Sequence, residues 1–404
     1  MSDTRILTGN YAVAEAVKQS NVDVIAAYPI TPQTQIVEAL ATMVETGILK
    51  ARFIRVEGER SAMAVCIGAS STGCRVYTAT SSQGLVLMHE LLYWAAASRL
   101  PIVMTNVNRT LAPPWNIWVE HTDSMLERDI GWIQIYASTN QELYDLVFQC
   151  FKLAESSQVK LPVMLCMDGF LLSHTATPVK LIDQNVVDAF LPEYTPSSFN
   201  QIILDVNNPF TYGNVVSPAT HGDLYYKHRY LAHKAMITAG NVFKKIQFEF
   251  QKLVGRAYGG LTYEYNCSDA DVILISIGTL FNQSISAVDL LRKEGYKIGA
   301  LKMRFLRPFP HQELKQICRS KKALLIIDRN LSPGIGGIIS WEVKSSLLEL
   351  KDNIKIISAV AGLGGCDVTT RDIIEFVKNS YKHLTDKKGE RDIYWIGLKG
   401  EFFG

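Results

Sequence analysis

The sequence predicts an α/β protein with two domains, each a mainly parallel sheet covered by helices. Three observations carry this. Continuous apolar runs of strand length alternate with helical patterns through the first 170 residues, a turn-rich stretch interrupts them, and the alternation resumes at Asp271. A strand covered by helices on both faces reads as an unbroken apolar run, whereas a half-exposed antiparallel strand alternates apolar and polar residues.

The elements follow in order. VDVIAAYP (22–29) reads as a buried strand, QTQIVEALATMVE (33–45) as a helix and FIRVEG (53–58) as a strand. A small-residue helix runs from Glu59 to Ser71, then the strand RVYTAT (75–80) and the helix LVLMHELLYWAAAS (85–98). The strand IVMTNVN (102–108) leads through a long loop to the strand IQIYAS (133–138), a helix over 140–155 and the strand PVMLCMD (162–168). Residues 190–265 carry the turn formers YTPSS, NNPFTYG and SPATHG, then the amphipathic run HKAMITAGNVFKKIQFEFQKLVG. They predict an irregular excursion followed by one connecting helix. The second alternation is DVILISIG (271–278), a helix near 283–294, IGALKMR (298–304), a helix near 311–319, ALLIIDR (323–329), a helix near 339–350, IKIISAV (354–360) and a helix from Thr370. The expected units are 1–190, 191–265 and 266–404.

Composition narrows the function classes. The chain has 404 residues, 48% hydrophobic and 20% charged, which rules out a mainly disordered chain. Lys and Arg number 41 against 39 Asp and Glu, for a net charge of +2, which argues against a strongly basic nucleic-acid binder. The start MSDTR has no apolar signal region, and residues 85–104 include His89, Glu90, Arg99 and Pro101, a poor membrane span. Seven scattered cysteines without a CxxC suit a reducing cytoplasm and argue against an iron–sulfur cluster or a metal site on this chain.

Ligands of open α/β sheets bind beyond the carboxyl ends of the strands. Thr31, Glu57 and Glu59, the run from Thr80 to Gly84, and Asn108 with Arg109 follow four predicted strands. Each also has a structural reading. Thr31 or Asp123 could cap a helix, Glu59 could be a first-turn acid, Ser81, Ser82 and Gly84 could shape a turn, and Arg109 could pair with a surface acid. The glycine motifs fall short of nucleotide-binding signatures. Gly68 to Gly73 is followed by Cys74-Arg75, Gly334-Ile-Gly336-Gly337 has Ile339 at the third position, and Gly362-Leu-Gly364-Gly365 has Asp367 there.

YPITPQT (28–34), EGERSAMAVCIGAS (57–70), TATSSQGLVLMHE (78–90), LPIVMTNVNR (100–109) and HTDSMLERDIGWIQI (121–135) resemble the alpha subunit of 2-oxoacid:ferredoxin oxidoreductases, with the pyruvate branch nearest. VILISIGT (272–279), GALKMRFLRPFP (299–310), IIDRN (326–330), PGIGG (333–337) and AGLGGCDVT (361–369) extend the resemblance from Leu7 to about Val377. It implies a thiamine-diphosphate-binding-type pyrimidine domain, with a parallel sheet, and a smaller transketolase C-terminal-like domain. It implies thiamine diphosphate shared with a beta subunit that holds the diphosphate, Mg2+ and an iron–sulfur cluster. Gamma and ferredoxin-like delta subunits, ferredoxin, pyruvate and coenzyme A complete the expected partners, in the cytoplasm. Glu59 matches the family glutamate on N1′ of the aminopyrimidine, and Thr31 and Arg109 match the pair that receives the substrate carboxylate. Ile30 and Gly84 are the further expected cofactor contacts. Trp115 and Trp118 either narrow the acyl pocket or pack elsewhere. Rival readings are the same chemistry on a branched-chain 2-oxoacid, 2-oxoglutarate, an arylpyruvate or oxalate, a structural subunit shaping a partner's site, and, more distantly, an NAD-binding module.

Overall fold

A computed structural model describes residues 3–196, 204, 206–207, 218–349, 354–384 and 393–398. The first part of the chain forms β1 (Thr4–Leu7), α1 (Gly9–Gln19), β2 (Val24–Ala27), α2 (Thr34–Glu45), β3 (Arg52–Arg55), α3 (Glu59–Ser71), β4 (Val76–Thr80), α4 (Ser82–Leu87) and α5 (His89–Ala97). It continues through β5 (Ile102–Asn108), α6 (Thr122–Leu126), β6 (Ile133–Tyr136), α7 (Asn140–Glu155), β7 (Val163–Asp168), β8 (Thr177–Lys180) and α8 (Gln184–Phe190). The helix α9 (Pro218–Val254) leads to β9 (Thr262–Tyr265), β10 (Val272–Ile277), α10 (Leu280–Lys293), β11 (Ile298–Met303), β12 (Phe305–Arg307) and α11 (His311–Cys318). β13 (Ala323–Asp328), α12 (Ile338–Leu347), β14 (Lys355–Ala361), α13 (Thr370–Lys382) and β15 (Tyr394–Ile396) complete it.

The strands with continuous apolar runs form the centres of two sheets. The first has the order β12-β6-β7-β5-β4-β2-β3 and the second β15-β14-β13-β10-β11-β9. Only the pairs β12–β6 and β11–β9 within them are antiparallel. In the first sheet the chain reverses direction between β2 and β4. This is the crevice where an open sheet offers its ligand site, and it is flanked by the Thr31 and Ser82–Gly84 segments.

Several expectations need revision. The helix predicted over 85–98 is two helices, α4 and α5, joined at Met88, and the first already starts at Ser82. The strand predicted over 53–58 stops at Arg55 because Gly58 becomes the N-cap of α3. The strands β1, β8 and β12 have three or four residues each, too few to show a period in sequence. β12 follows residue 266 yet joins the first sheet, so the two sheets are laced together rather than divided there. In the excursion, residues 197–203, 205 and 208–217 lie outside the described set. The connecting helix spans Pro218–Val254, longer than the amphipathic run. No described helix is long and apolar enough to cross a membrane.

The two units share one apolar cluster that runs from Leu92 and Trp132 to Ile275, Ile326 and Ile339. A buried ion group reinforces the junction. Glu142 on α7 accepts from Arg304 Nε at 2.9 Å and from Lys302 Nζ, and from the Ser138 amide at 2.9 Å. Arg304 also donates to the Gly260 carbonyl at 2.6 Å. Burial pushes the Glu142 carboxyl up, but the two cations outweigh it and hold it at about 2. A folded-state value below the usual 4.5 means stability that is present above about pH 4.5 and lost as the pH falls toward 2. Glu142→Gln leaves Lys302 and Arg304 buried without their counter-charge. It should cost ~3–5 kcal/mol at pH 7 in chemical denaturation and flatten the acid limb of the stability profile. A change below ~0.5 kcal/mol would show that this group does not hold the junction.

Candidate active site at the carboxyl edge of the first sheet

Two nearby acids compete for a functional role, and local geometry separates them. Gly58 enters α3 in an extended conformation, φ −176° and ψ 167°, so Glu59 becomes the first-turn residue and turns inward. It is 7% exposed. Glu57 stays outside, bonded to the Ser61 hydroxyl, and that bond lowers its carboxyl pKa. Glu59 has no side-chain partner among the described residues, and neither has the buried hydroxyl of Thr80. Both lie beside Gly84 on α4, where an added Cβ would sit 2.7 Å from Glu59 Oε1 and 2.6 Å from Thr80 Oγ1. Glycine is needed here for close approach.

Arg109 follows β5 and is 8% exposed. Its Nη1 donates to the Thr31 carbonyl at 2.7 Å and its Nη2 to Gln83 Oε1 at 3.2 Å. The guanidinium meets no carboxylate among the described residues, so it does not form the surface ion pair that a lone arginine suggests. Burial lowers its pKa, opposed by the charge of Asp123, and an arginine stays protonated throughout. A buried cation without a counter-ion is a place where an anion is stabilised. Thr31 is exposed and Ile30 half-buried. Thr31 does not cap α2, whose N-cap position is Gln33.

Sequence reasoning passed over Asp123 except as a helix cap, and His121 takes that position instead. The Asp123 carboxylate is fully buried. It accepts from the amides of Ser82 at 3.1 Å, Arg109 at 3.2 Å and Ser124 at 2.8 Å, and from Nδ2 of Asn106 at 3.1 Å and Asn108 at 2.8 Å. Burial raises its pKa and these donors oppose the rise. The legible signal was the pair of asparagines inside the apolar strand IVMTNVN, since a buried amide needs a polar partner.

The loop after Arg109 docks on the second unit. The Asn116 amide donates to the Gly364 carbonyl at 3.0 Å, and the Gly365 amide to the Val119 carbonyl at 3.1 Å. Gly362, Gly364 and Gly365 have φ between 62° and 74°, and an added Cβ at Gly365 would lie 2.4 Å from Trp118 Cβ. The Gly362–Gly365 motif is therefore a seat for this loop. Trp118 packs there, its ring 4.6 Å from the Phe170 ring, while Trp115 is 84% exposed. The Gly334–Gly337 motif is closed as well. Asp328 accepts from the Ile339 and Ser340 amides at 2.9 and 3.1 Å, occupying the N-terminus of α12 where a phosphate would bind.

Glu59, Thr80 and Gly84 fit an aminopyrimidine ring. An unpartnered acid and an unpartnered hydroxyl face a cradle that a single Cβ would fill. Among the described residues no group of three His, Cys, Asp or Glu could hold a metal ion.

Residues 15–247 match the family described as pyruvate flavodoxin/ferredoxin oxidoreductase, thiamine diphosphate-binding, and residues 270–373 match pyruvate:ferredoxin oxidoreductase core domain II. The chain is 45% identical to the ketoisovalerate oxidoreductase subunit VorA of Pyrococcus horikoshii over 395 residues, 98% of each. It is 43% identical to the pyruvate synthase subunit PorA of Methanothermobacter thermautotrophicus over 397 residues, 98% of this chain and 99% of that one. Among solved structures it is similar in fold to the 2-oxoglutarate:ferredoxin oxidoreductase of Magnetococcus marinus. The TM-score is 0.70 at 20% identity, over 94% of this chain and 65% of that one. A split-gene transketolase gives a TM-score of 0.54 at 13% identity, covering 93% and 98%. The fold is thus of the thiamine-diphosphate-binding type with a transketolase C-terminal-like unit.

Gly84→Ala should push the Glu59 carboxylate aside. Binding of thiamine diphosphate to the assembled complex should weaken roughly tenfold or more. Unaltered cofactor affinity would show that Gly84 does not border the cofactor.

Proposed function

The chain belongs to the 2-oxoacid:ferredoxin oxidoreductase family as an alpha-type subunit, and from that premise we propose that it forms part of a pyruvate:ferredoxin oxidoreductase. The reaction takes pyruvate, coenzyme A and two oxidised ferredoxins to acetyl-CoA, carbon dioxide, a proton and two reduced ferredoxins, in either direction. The observation that supports it most is the juxtaposition at neighbouring strand ends of two unmet needs. Glu59 is an inward acid without a partner, and Arg109 is a buried cation without a carboxylate. Thiamine diphosphate supplies the nucleophilic carbon and the electron sink for decarboxylation. Glu59 holds a proton at N1′ of the aminopyrimidine, and Ile30 and Gly84 border the cofactor. Arg109 and the Thr31 hydroxyl bind the oxoacid carboxylate. The cation offsets desolvation of the anion, and directed donors fix its orientation for reaction.

The rest of the site belongs to partners in this reading. A beta subunit holds the diphosphate, Mg2+ and an iron–sulfur cluster. Gamma and ferredoxin-like delta subunits carry electrons onward to ferredoxin in the cytoplasm. Leu87 on α4 and Trp94 on α5, 61% and 56% exposed, suit a covering partner. Seven free cysteines, five of them buried, suit electron transfer through other chains.

A second reading keeps every role and changes the acyl group. The relative named for ketoisovalerate is 45% identical and the one named for pyruvate 43%, so overall similarity does not separate a methyl from an isopropyl substituent. Coenzyme-A-dependent viologen reduction by the anaerobically purified complex, run across a panel of 2-oxoacids, separates them. Preference for pyruvate supports the first reading and preference for 3-methyl-2-oxobutanoate the second. No reduction with any oxoacid by a cofactor-loaded complex overturns both. Glu59→Gln should lower turnover roughly 100-fold or more with assembly intact. Arg109→Ala should mainly raise KM for the oxoacid, and an unchanged KM would remove its assigned role.

A further inference from the structure

We propose that Gln83 is a further substrate-contacting residue, whose Nε2 donates a hydrogen bond to an oxygen of the 2-oxoacid beside Arg109. This rests on the oxoacid site assigned above. An arginine has only donors, so the atom of Gln83 that faces Arg109 Nη2 at 3.2 Å is its carbonyl oxygen, and the amide orientation is fixed. The Ser82 hydroxyl lies against the same oxygen. Nε2 is left buried and without a partner. Arg109 Nε, on the same constellation, is also buried without a partner.

Two unmet donors at one place are costly unless a ligand supplies acceptors. A 2-oxoacid anion is matched to that need, because it presents three acceptor oxygens and no donor. Thr31 is exposed and Gln83 half-buried, so the group is approached from the Thr31 side. The backbone is committed to this placement. Ser82, immediately before Gln83, has φ 51°, a left-handed conformation that a residue with a Cβ rarely adopts, and its amide is held by Asp123 at 3.1 Å. Within SSQG the serines and the glycine shape the turn, and the glutamine presents the donor.

The test uses the assembled complex, with thiamine diphosphate content and subunit ratio checked for each variant. Gln83→Met removes the amide at similar volume. It should raise KM for the preferred 2-oxoacid about tenfold or more, with kcat within about threefold and KM for coenzyme A unchanged. Gln83→Glu keeps the oxygen that faces Arg109 and replaces the donor with an acceptor. It should raise that KM further still, and it decides the matter if the Met variant does not assemble. Oxoacid KM unchanged in Gln83→Glu, or a loss confined to kcat, overturns the proposal. Arg109→Ala is measured in parallel. If it raises KM and the Gln83 variants do not, only the Gln83 assignment fails. If none of the three moves KM, the oxoacid site itself is misplaced.

Discussion

The carboxyl edge of the first sheet is organised by one buried carboxylate. Asp123 takes amides from the start of α4 and from the residue after β5, together with two asparagine side chains of β5 itself. Oxygens accept and amides donate, so a single acid in the interior satisfies donors from segments more than ten residues apart. Those segments carry Gln83 and Gly84 on one side and Arg109 on the other. The positions of the Arg109 guanidinium and of the glycine that leaves room beside Glu59 both follow from the Asp123 bonds. Such an acid is costly to bury alone, and here the number of its donors offsets that cost.

The same logic holds the two units together. Asp168, at the end of β7, accepts from His121 Nε2 and Arg329 Nη1, each at 2.7 Å, and from the Thr279 amide at 3.1 Å. Burial pushes its pKa up, but His121 and Arg329 outweigh that and hold the carboxyl well below the usual range. Thr279 and Arg329 belong to the second unit, so this bond set ties that unit to the carboxyl end of β7. The loop seated on Gly362 to Gly365 is clamped between Arg109 and this junction. The second unit therefore supports the loop after Arg109 as well as its own sheet.

The two glycine-rich segments of the second unit, Gly334–Gly337 and Gly362–Gly365, show why a spacing is weaker evidence than its surroundings. Both look like the start of a nucleotide site, and both are filled from within the chain. One receives the Asp328 carboxylate, and an added Cβ at Gly337 would lie 2.0 Å from Asp328 Oδ2. The other receives the Trp118 side chain and the Val119 carbonyl. In each, glycine serves close approach within the fold rather than to a phosphate.

Much was legible in the sequence. Residues 102–108 and 140–155 and the helix Glu59–Ser71 read correctly, because continuous apolar runs and helical periodicity mark buried strands and packed helices directly. The positions of Thr31, Glu59, Gly84 and Arg109 at strand ends were legible for the same reason. Family resemblance then supplied roles that periodicity does not contain. What the sequence could not contain was the partner of each polar group. Whether Glu57 or Glu59 turns inward depends on where α3 begins, and whether Arg109 is paired or free depends on acids elsewhere in the chain. Short edge strands such as β12 belong to a sheet only when another unit offers its edge. Local pattern determines which segments are strands and helices. Only the tertiary structure decides which buried charges are satisfied and which are left for a ligand, because hydrogen bonds form between residues far apart in the chain.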